Sequence, residues 1–221
     1  MTLVSKLTDK QKWQRLLSSL KYSLYVIFHP FEGFWDLSRE KRGSLAAANI
    51  IVFLVLLIRL LKMQFTPFLF MNVYWPKVNI LQQCLSVLLP LIFFVAGNWG
   101  LTTLFEGKGT FKDVYVATCY ALTPYVILQA IMIVLSNCIT VNEGSFYYVL
   151  DGLSLIWSGA LIVSGMMQTH DYSLGKTLIF TIATLLAMVV IIFLLLLFFS
   201  LVGDGIGYFV SLYKEILFRL Y

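Results

Sequence analysis

A chain of 221 residues that is 60% apolar and 12% charged, with a mean hydropathy of +0.87, does not have the makeup of a water-soluble domain, which carries about twice that share of charge. Its length suits one domain, and most of its surface is expected to face lipid. The three cysteines, Cys84, Cys119 and Cys138, are an odd number without a C-x-x-C pair and lie in or beside apolar runs. They read as small buried hydrophobes, not as a disulfide framework or a metal site.

Residues 1–43 form the first unit, a basic amphipathic segment on the cytoplasmic side. Trp13, Leu16, Leu17, Leu20, Leu24, Ile27 and Phe28 recur at helical spacing, while Lys10, Gln14, Ser18 and Lys21 share the other face. Such a helix suits the surface of an anionic cytoplasmic leaflet; a helix packed on the protein's own loops needs the same moment. Lys10, Lys12, Arg15 and Lys21 interrupt the apolar residues, and no small-residue cleavage site follows. The segment therefore does not read as a cleaved signal.

A helix needs roughly 20 apolar residues to cross about 30 Å of hydrocarbon. Between residues 44 and 203, five stretches qualify: Ser44 to Met63, Ile80 to Phe105, Val114 to Cys138, Phe146 to Gln168 and Leu174 to Val202. Turn-rich breaks separate them. Thr66-Pro67 and Trp75-Pro76 bracket the first, and Glu106-Gly107-Lys108-Gly109, Asn142-Glu143-Gly144 and His170-Asp171-Tyr172-Ser173 make the others. In residues 204–221 a second amphipathic stripe runs through Ile206, Phe209, Val210, Tyr213, Ile216, Leu217 and Leu220. Gly203, Gly205 and Gly207 are expected to hinge it away from the fifth span. The sequence thus predicts an all-α integral membrane protein: a five-transmembrane-helix bundle with interfacial amphipathic helices at its N- and C-termini.

Orientation follows the bias of basic residues in the loops. Lys6, Lys10, Lys12, Arg15, Lys21, Arg39, Lys41, Arg42, Lys108, Lys112 and Lys176 fall on one side; Arg59, Lys62, Lys77, Lys214 and Arg219 fall on the other. This bias predicts a cell-membrane protein with its N-terminus in the cytoplasm and, after five spans, its C-terminus outside. Aromatic residues gather near the expected interfaces, Phe31, Phe34 and Trp35 inside, Trp75, Tyr147 and Tyr148 outside, as membrane anchors do.

Catalytic signatures are missing: there is no H-E-x-x-H, no G-x-S-x-G and no Walker glycine loop. The two histidines, His29 and His170, both fall on the cytoplasmic side, and His170-Asp171 has the makeup of a proton relay. A working site of that kind needs more convergent ligands, so His170 is expected to be a solvated loop residue. No enzymatic activity, metal or cofactor is expected.

The polar residues inside the spans are more informative. Asp151 lies a little more than one turn into the fourth span. An ionisable group at that depth is a functional candidate that faces the bundle or a wet crevice; if the span begins near Leu153, it lies in the outer headgroups instead. The shortage of buried polar groups favours the headgroup position. Asn98 and Gln129 lie deeper and suit interhelical hydrogen bonds of about 1 kcal/mol each. Pro124 interrupts the third span and deprives the Tyr120 carbonyl of its helical partner, so a kink buried against other spans is expected. The pairs Ser154/Ser158, Ala160/Ser164 and Ala117/Ala121 suit close contacts between the third and fourth spans, or between copies of the chain.

The stretch His29-Pro30-Phe31-Glu32-Gly33-Phe34-Trp35-Asp36-Leu37 with Arg42-Gly43 resembles the Yip family (Ypt-interacting-protein domain). So do Tyr120-Ala121-Leu122-Thr123-Pro124-Tyr125, Ile156-Trp157, and His170-Asp171-Tyr172-Ser173 with Lys176. The resemblance runs from about Tyr25 to the C-terminus, and the order and spacing are similar to the short bacterial branch. It implies five spans and a cytoplasmic N-terminus. Eukaryotic members carry an acidic, aromatic, Gly-Pro-containing segment before the first span and bind prenylated Rab GTPases; here the His29-to-Leu37 stretch takes its place, and a bacterial host has no Rab partner.

Together these features predict a non-enzymatic membrane protein that organises membrane partners or shapes the bilayer. Its expected partners are a bilayer with an anionic cytoplasmic leaflet and a second copy or another membrane protein, with no nucleic acid. The alternative is an accessory or pore-forming component of a small-solute transporter, with Asp151, Asn98, Gln129 and the Pro124 kink lining a path.

Overall fold

The computed structural model describes residues 10–71 and 78–220. Lys6, Trp75, Pro76, Lys77 and Tyr221 lie outside those residues, as do the side chains of Lys10, Lys12 and Leu220. Helices account for the regular structure of the described residues: α1 Lys10–Phe28, α2 Pro30–Arg39, α3 Leu45–Phe65, α4 Ile80–Thr103, α5 Phe111–Ala121, α6 Thr123–Ser136, a short 3-10 turn Val141–Glu143, α7 Gly144–His170 and α8 Leu174–Leu220. Five stretches are long and apolar enough to cross a membrane: α3, α4, α5 with α6, α7 and α8.

The helix starts follow from their caps. The Ser44 hydroxyl accepts from the Ala47 amide at 3.1 Å, and Asn79 accepts from the Leu81 amide at 2.9 Å. Thr110 and Asp113 form a reciprocal capping box at α5, and Pro30 occupies the first turn of α2, where its missing N–H costs nothing.

The third span is broken at Leu122, between α5 and α6. Pro124 has no amide to offer the Tyr120 carbonyl. The Thr123 hydroxyl donates to that carbonyl at 2.7 Å, so the freed acceptor is satisfied within the same turn, as apolar surroundings require.

Helix α7 is the hub, packed on α2, α5, α6 and α8; α3 lies on α5 and α6, and α4 packs chiefly on α8. Ala117, Ala121, Ser154 and Ser158 are buried and let α5, α6 and α7 approach closely. Ala160 instead faces outward. The densest core, with Phe34, Val26, Ala47, Ala48, Val95, Val114, Tyr120 and Met166, gathers at the end that carries α1 and α2.

Helix α1 does not bury its most apolar stripe. Ser19, Ser23, Val26 and Ile27 face the protein, while Trp13, Leu17, Leu24 and Phe28 remain exposed. Packing on the protein and an outward apolar stripe therefore coexist on one helix. The buried Tyr120 fastens the inner face: its hydroxyl donates to the Ser19 carbonyl at 3.2 Å and accepts from the Ser44 amide at 3.4 Å. The Ser19 hydroxyl reaches the Arg42 carbonyl at 3.1 Å. Helix α2 seats Phe34, 1% exposed, against Gly165, where an added Cβ would come within 3.1 Å of the ring.

One expectation is corrected. Helix α8 runs unbroken through Gly203, Gly205 and Gly207 to Leu220, so no hinge separates the C-terminal stripe from the fifth span. Each glycine weakens a helix by about 1 kcal/mol, but bending also needs something for the free arm to pack on. Among the described residues nothing lies within 4 Å of a Cβ placed at any of the three. From Ile192 to Arg219 the side chains of α8 are exposed.

Candidate functional site

Two polar clusters occupy opposite ends of the bundle. At the end carrying α1 and α2, His170 closes α7 with 1% exposure, so it is a buried helix residue and not the solvated loop histidine expected from its polar neighbours. The Gly109 amide donates to Nδ1 at 3.3 Å. That assigns the ring proton to Nε2, which donates to Asn98 Oδ1 at 2.9 Å. Asn98 Nδ2 donates in turn to the Thr184 hydroxyl at 3.1 Å, and Thr184 donates to the Phe180 carbonyl at 2.7 Å. The chain of bonds joins α4, α7, α8 and the α4–α5 loop with each of these members satisfied, which is the condition for a buried polar network to hold. Gly107 and Gly109 permit the close approach: a Cβ at Gly109 would lie 2.5 Å from Thr169 Cγ2, and one at Gly107 would lie 2.8 Å from His170 Nδ1.

Over this network lies an exposed latch. Asp171 caps α7 in the left-handed conformation, φ 60°, which a short polar side chain tolerates. Its carboxylate accepts from Lys108 at 2.6 Å and from Arg39 at 3.1 Å. The Lys108 hydrogen bond and charge hold the Asp171 carboxyl below its ordinary range, so it is ionised at neutral pH and links α2, the α4–α5 loop and α7. Being solvent-exposed, the pairs add little stability by themselves.

At the other end, the Asp151 carboxylate turns towards α3 and α6. Its Oδ1 accepts from Lys62 Nζ at 2.8 Å and from Gln129 Nε2 at 2.8 Å. Gln129 also reaches Ser154 at 3.0 Å, and Lys62 lies 5.5 Å from the centre of the Tyr147 ring. Arg59, one turn before Lys62 on the same face of α3, touches Gln83 at 3.5 Å. The Nε of Arg59 and the Oε1 of Gln129 are buried without a partner.

The remaining sequence candidates do not join these clusters. His29 is exposed and stacks on Tyr25 at 4.5 Å, away from the His170 network. Trp35 is 48% exposed, Trp157 is half-buried against the core, and Tyr120 and Pro124 serve the α1 dock and the α5–α6 break. Asn98 lies about five residues from one end of its span and Gln129 about eighteen from that same end, a separation of roughly 20 Å along the bundle. Val52, Leu91, Phe94 and Leu161 belong to the apolar core. The polar residues named for a transport path are thus divided between the ends. No group of three or more metal-ligating side chains occurs among the described residues.

Sequence reading missed Arg59, Lys62, Lys108, Thr123 and Thr184. Arg59 and Lys62 carried a usable signal: two cations three apart within an apolar run share a helix face and call for an acid on a neighbouring span.

A bundle of apolar helices, with its polar groups gathered at two levels, defines an all-helical integral membrane protein. The sequence model of the Yip1 domain family matches residues 24–203, and the chain belongs to that family. The match takes in both polar clusters and ends at Gly203. No curated protein and no solved structure matches the chain at a meaningful level of similarity.

Proposed function

We propose that this Yip1-family chain is a non-enzymatic membrane protein that shapes the bilayer or organises membrane partners, working from the surface formed by α1 and α2. The observation behind this reading is the exposed stripe of Trp13, Leu17, Leu24 and Phe28, continued by Phe31 and Trp35, on helices pinned to the bundle through their other faces. Lys21 lies exposed beside it. Apolar rings and a basic residue on adjoining faces suit insertion at the headgroup level of an anionic leaflet. In this proposal that leaflet is the cytoplasmic one of the cell membrane.

Full-length protein reconstituted into anionic vesicles is expected to narrow or tubulate them, as seen by electron microscopy. The triple variant Leu17→Ser, Leu24→Ser, Phe28→Ser, which leaves the Ser19, Ser23 and Val26 face intact, is expected to lose the effect. Vesicles of unchanged shape with the native chain would remove bilayer shaping from the proposal. Orientation has its own assay: reporters fused after Lys108 and after His170 are expected in the cytoplasm and one after Asn142 outside. The reverse pattern would place α1 on the wrong leaflet.

A further inference from the structure

At the Asp151 end, two cations face one carboxylate. Lys62 takes it at 2.8 Å, which leaves Arg59 with Gln83 at 3.5 Å and a buried Nε that has no hydrogen-bond partner. Arg59 feels the Asp151 charge, but among the described residues it makes no ion pair of its own. One helical turn deeper on the same two faces, four residues from Arg59 and four from Gln83, Val55 and Val87 line a cavity of about 350 Å³. Its wall also includes Pro90, Phe94, Leu155, Ser158, Ile162 and Met188, with little polar surface. The cavity exists because α4 leans on α8 and leaves a gap towards α7.

We infer that this cleft binds one anionic phospholipid, an acyl chain lying in the cavity and the phosphate at Arg59. The observations carrying this are complementarity of charge at the mouth and of polarity below it. An arginine guanidinium is suited to phosphate oxygens because it offers parallel N–H donors, and the desolvated Nε is a donor left open. A zwitterionic lipid would bring its own cation to a level that already has one in excess. The site lies at the opposite end from the α1–α2 surface and does not depend on the function proposed for it.

The test is native mass spectrometry of the full-length protein in mild detergent, with phosphatidylglycerol and phosphatidylcholine of identical chains added together. Retention of one phosphatidylglycerol in about tenfold preference is expected, equivalent to about 1.4 kcal/mol. Arg59→Gln is expected to abolish the preference while lipid is still retained, and Arg59→Lys to keep part of it. Ser158→Leu, which fills the cavity, is expected to release both lipids. Equal retention by the native chain, or an unchanged preference in Arg59→Gln, would overturn the inference. So would dimers that vanish in Ser158→Leu, since they would make a second copy the occupant. Should the variants fail to fold, the native protein decides: a phosphatidylglycerol with a photoreactive acyl chain is expected to label Pro90–Phe94 and Leu155–Ile162. Labelling confined to the exposed part of α8 would refute the site.

Discussion

Asp151→Leu is expected to destabilise the protein strongly, and Lys62→Met in the same chain to restore most of the loss. The single change strands the Lys62 ammonium, 12% exposed, in an apolar setting with no counter-charge at hydrogen-bond distance, and takes an acceptor from Gln129. Breaking one side of a fully buried ion pair costs about 3–5 kcal/mol. Asp151 keeps 35% of its side-chain exposure, so water softens the loss, and about 2 kcal/mol is expected here. Removing both charges leaves two apolar side chains that pack without a desolvation cost, so the two changes should be non-additive by about 1–2 kcal/mol. Unfolding of the two single variants and the double in detergent gives this coupling directly. Additive effects would mean that the 2.8 Å contact contributes nothing.

Phe34→Ala is expected to unseat α2. The ring is 1% exposed and fills the space that Gly165 leaves on α7, and truncating a buried phenylalanine costs about 3–5 kcal/mol. Here the loss need not unfold the bundle, because the membrane-spanning helices keep their own contacts. It should instead release α2 and the link after it, seen as faster tryptic cleavage at Lys41 and Arg42 and a shift in Trp35 emission. Gly165→Leu removes the same seat from the other side and should give the same pattern. Cleavage as slow as in the native chain would show that α2 is held by α1 and the Arg39–Asp171 pair alone.

The spans were legible because each is an apolar run of membrane length bounded by turn residues, and both properties are local. The Pro124 break was legible for the same reason. What escaped was set by neighbours distant in sequence. His170 reads as a loop residue since Asp171, Tyr172 and Ser173 follow it, yet it is the last residue of α7 and is buried under Gly107 and Gly109. Lys62 falls at the end of the predicted first span as one charge among those on the outer side, but its partner sits on a helix 89 positions away. The direction in which Asp151 turns depends on that cation, which its own span does not supply. In α1 the apolar stripe was visible, but the face that docks carries two serines, which hydropathy does not single out.

The unbroken run of α8 has a consequence for the membrane around it. A helix of 47 residues is about 70 Å long at 1.5 Å per residue. The hydrocarbon layer is about 30 Å thick, and a usual tilt of about 20° lengthens the path only to about 32 Å. At that tilt more than half of α8 lies outside the hydrocarbon layer. Its side chains from Ile192 onward are exposed, so lipid thickness sets the level at which the helix emerges. The helix is a ruler standing in the bilayer, and a thicker membrane would cover more of the same scale.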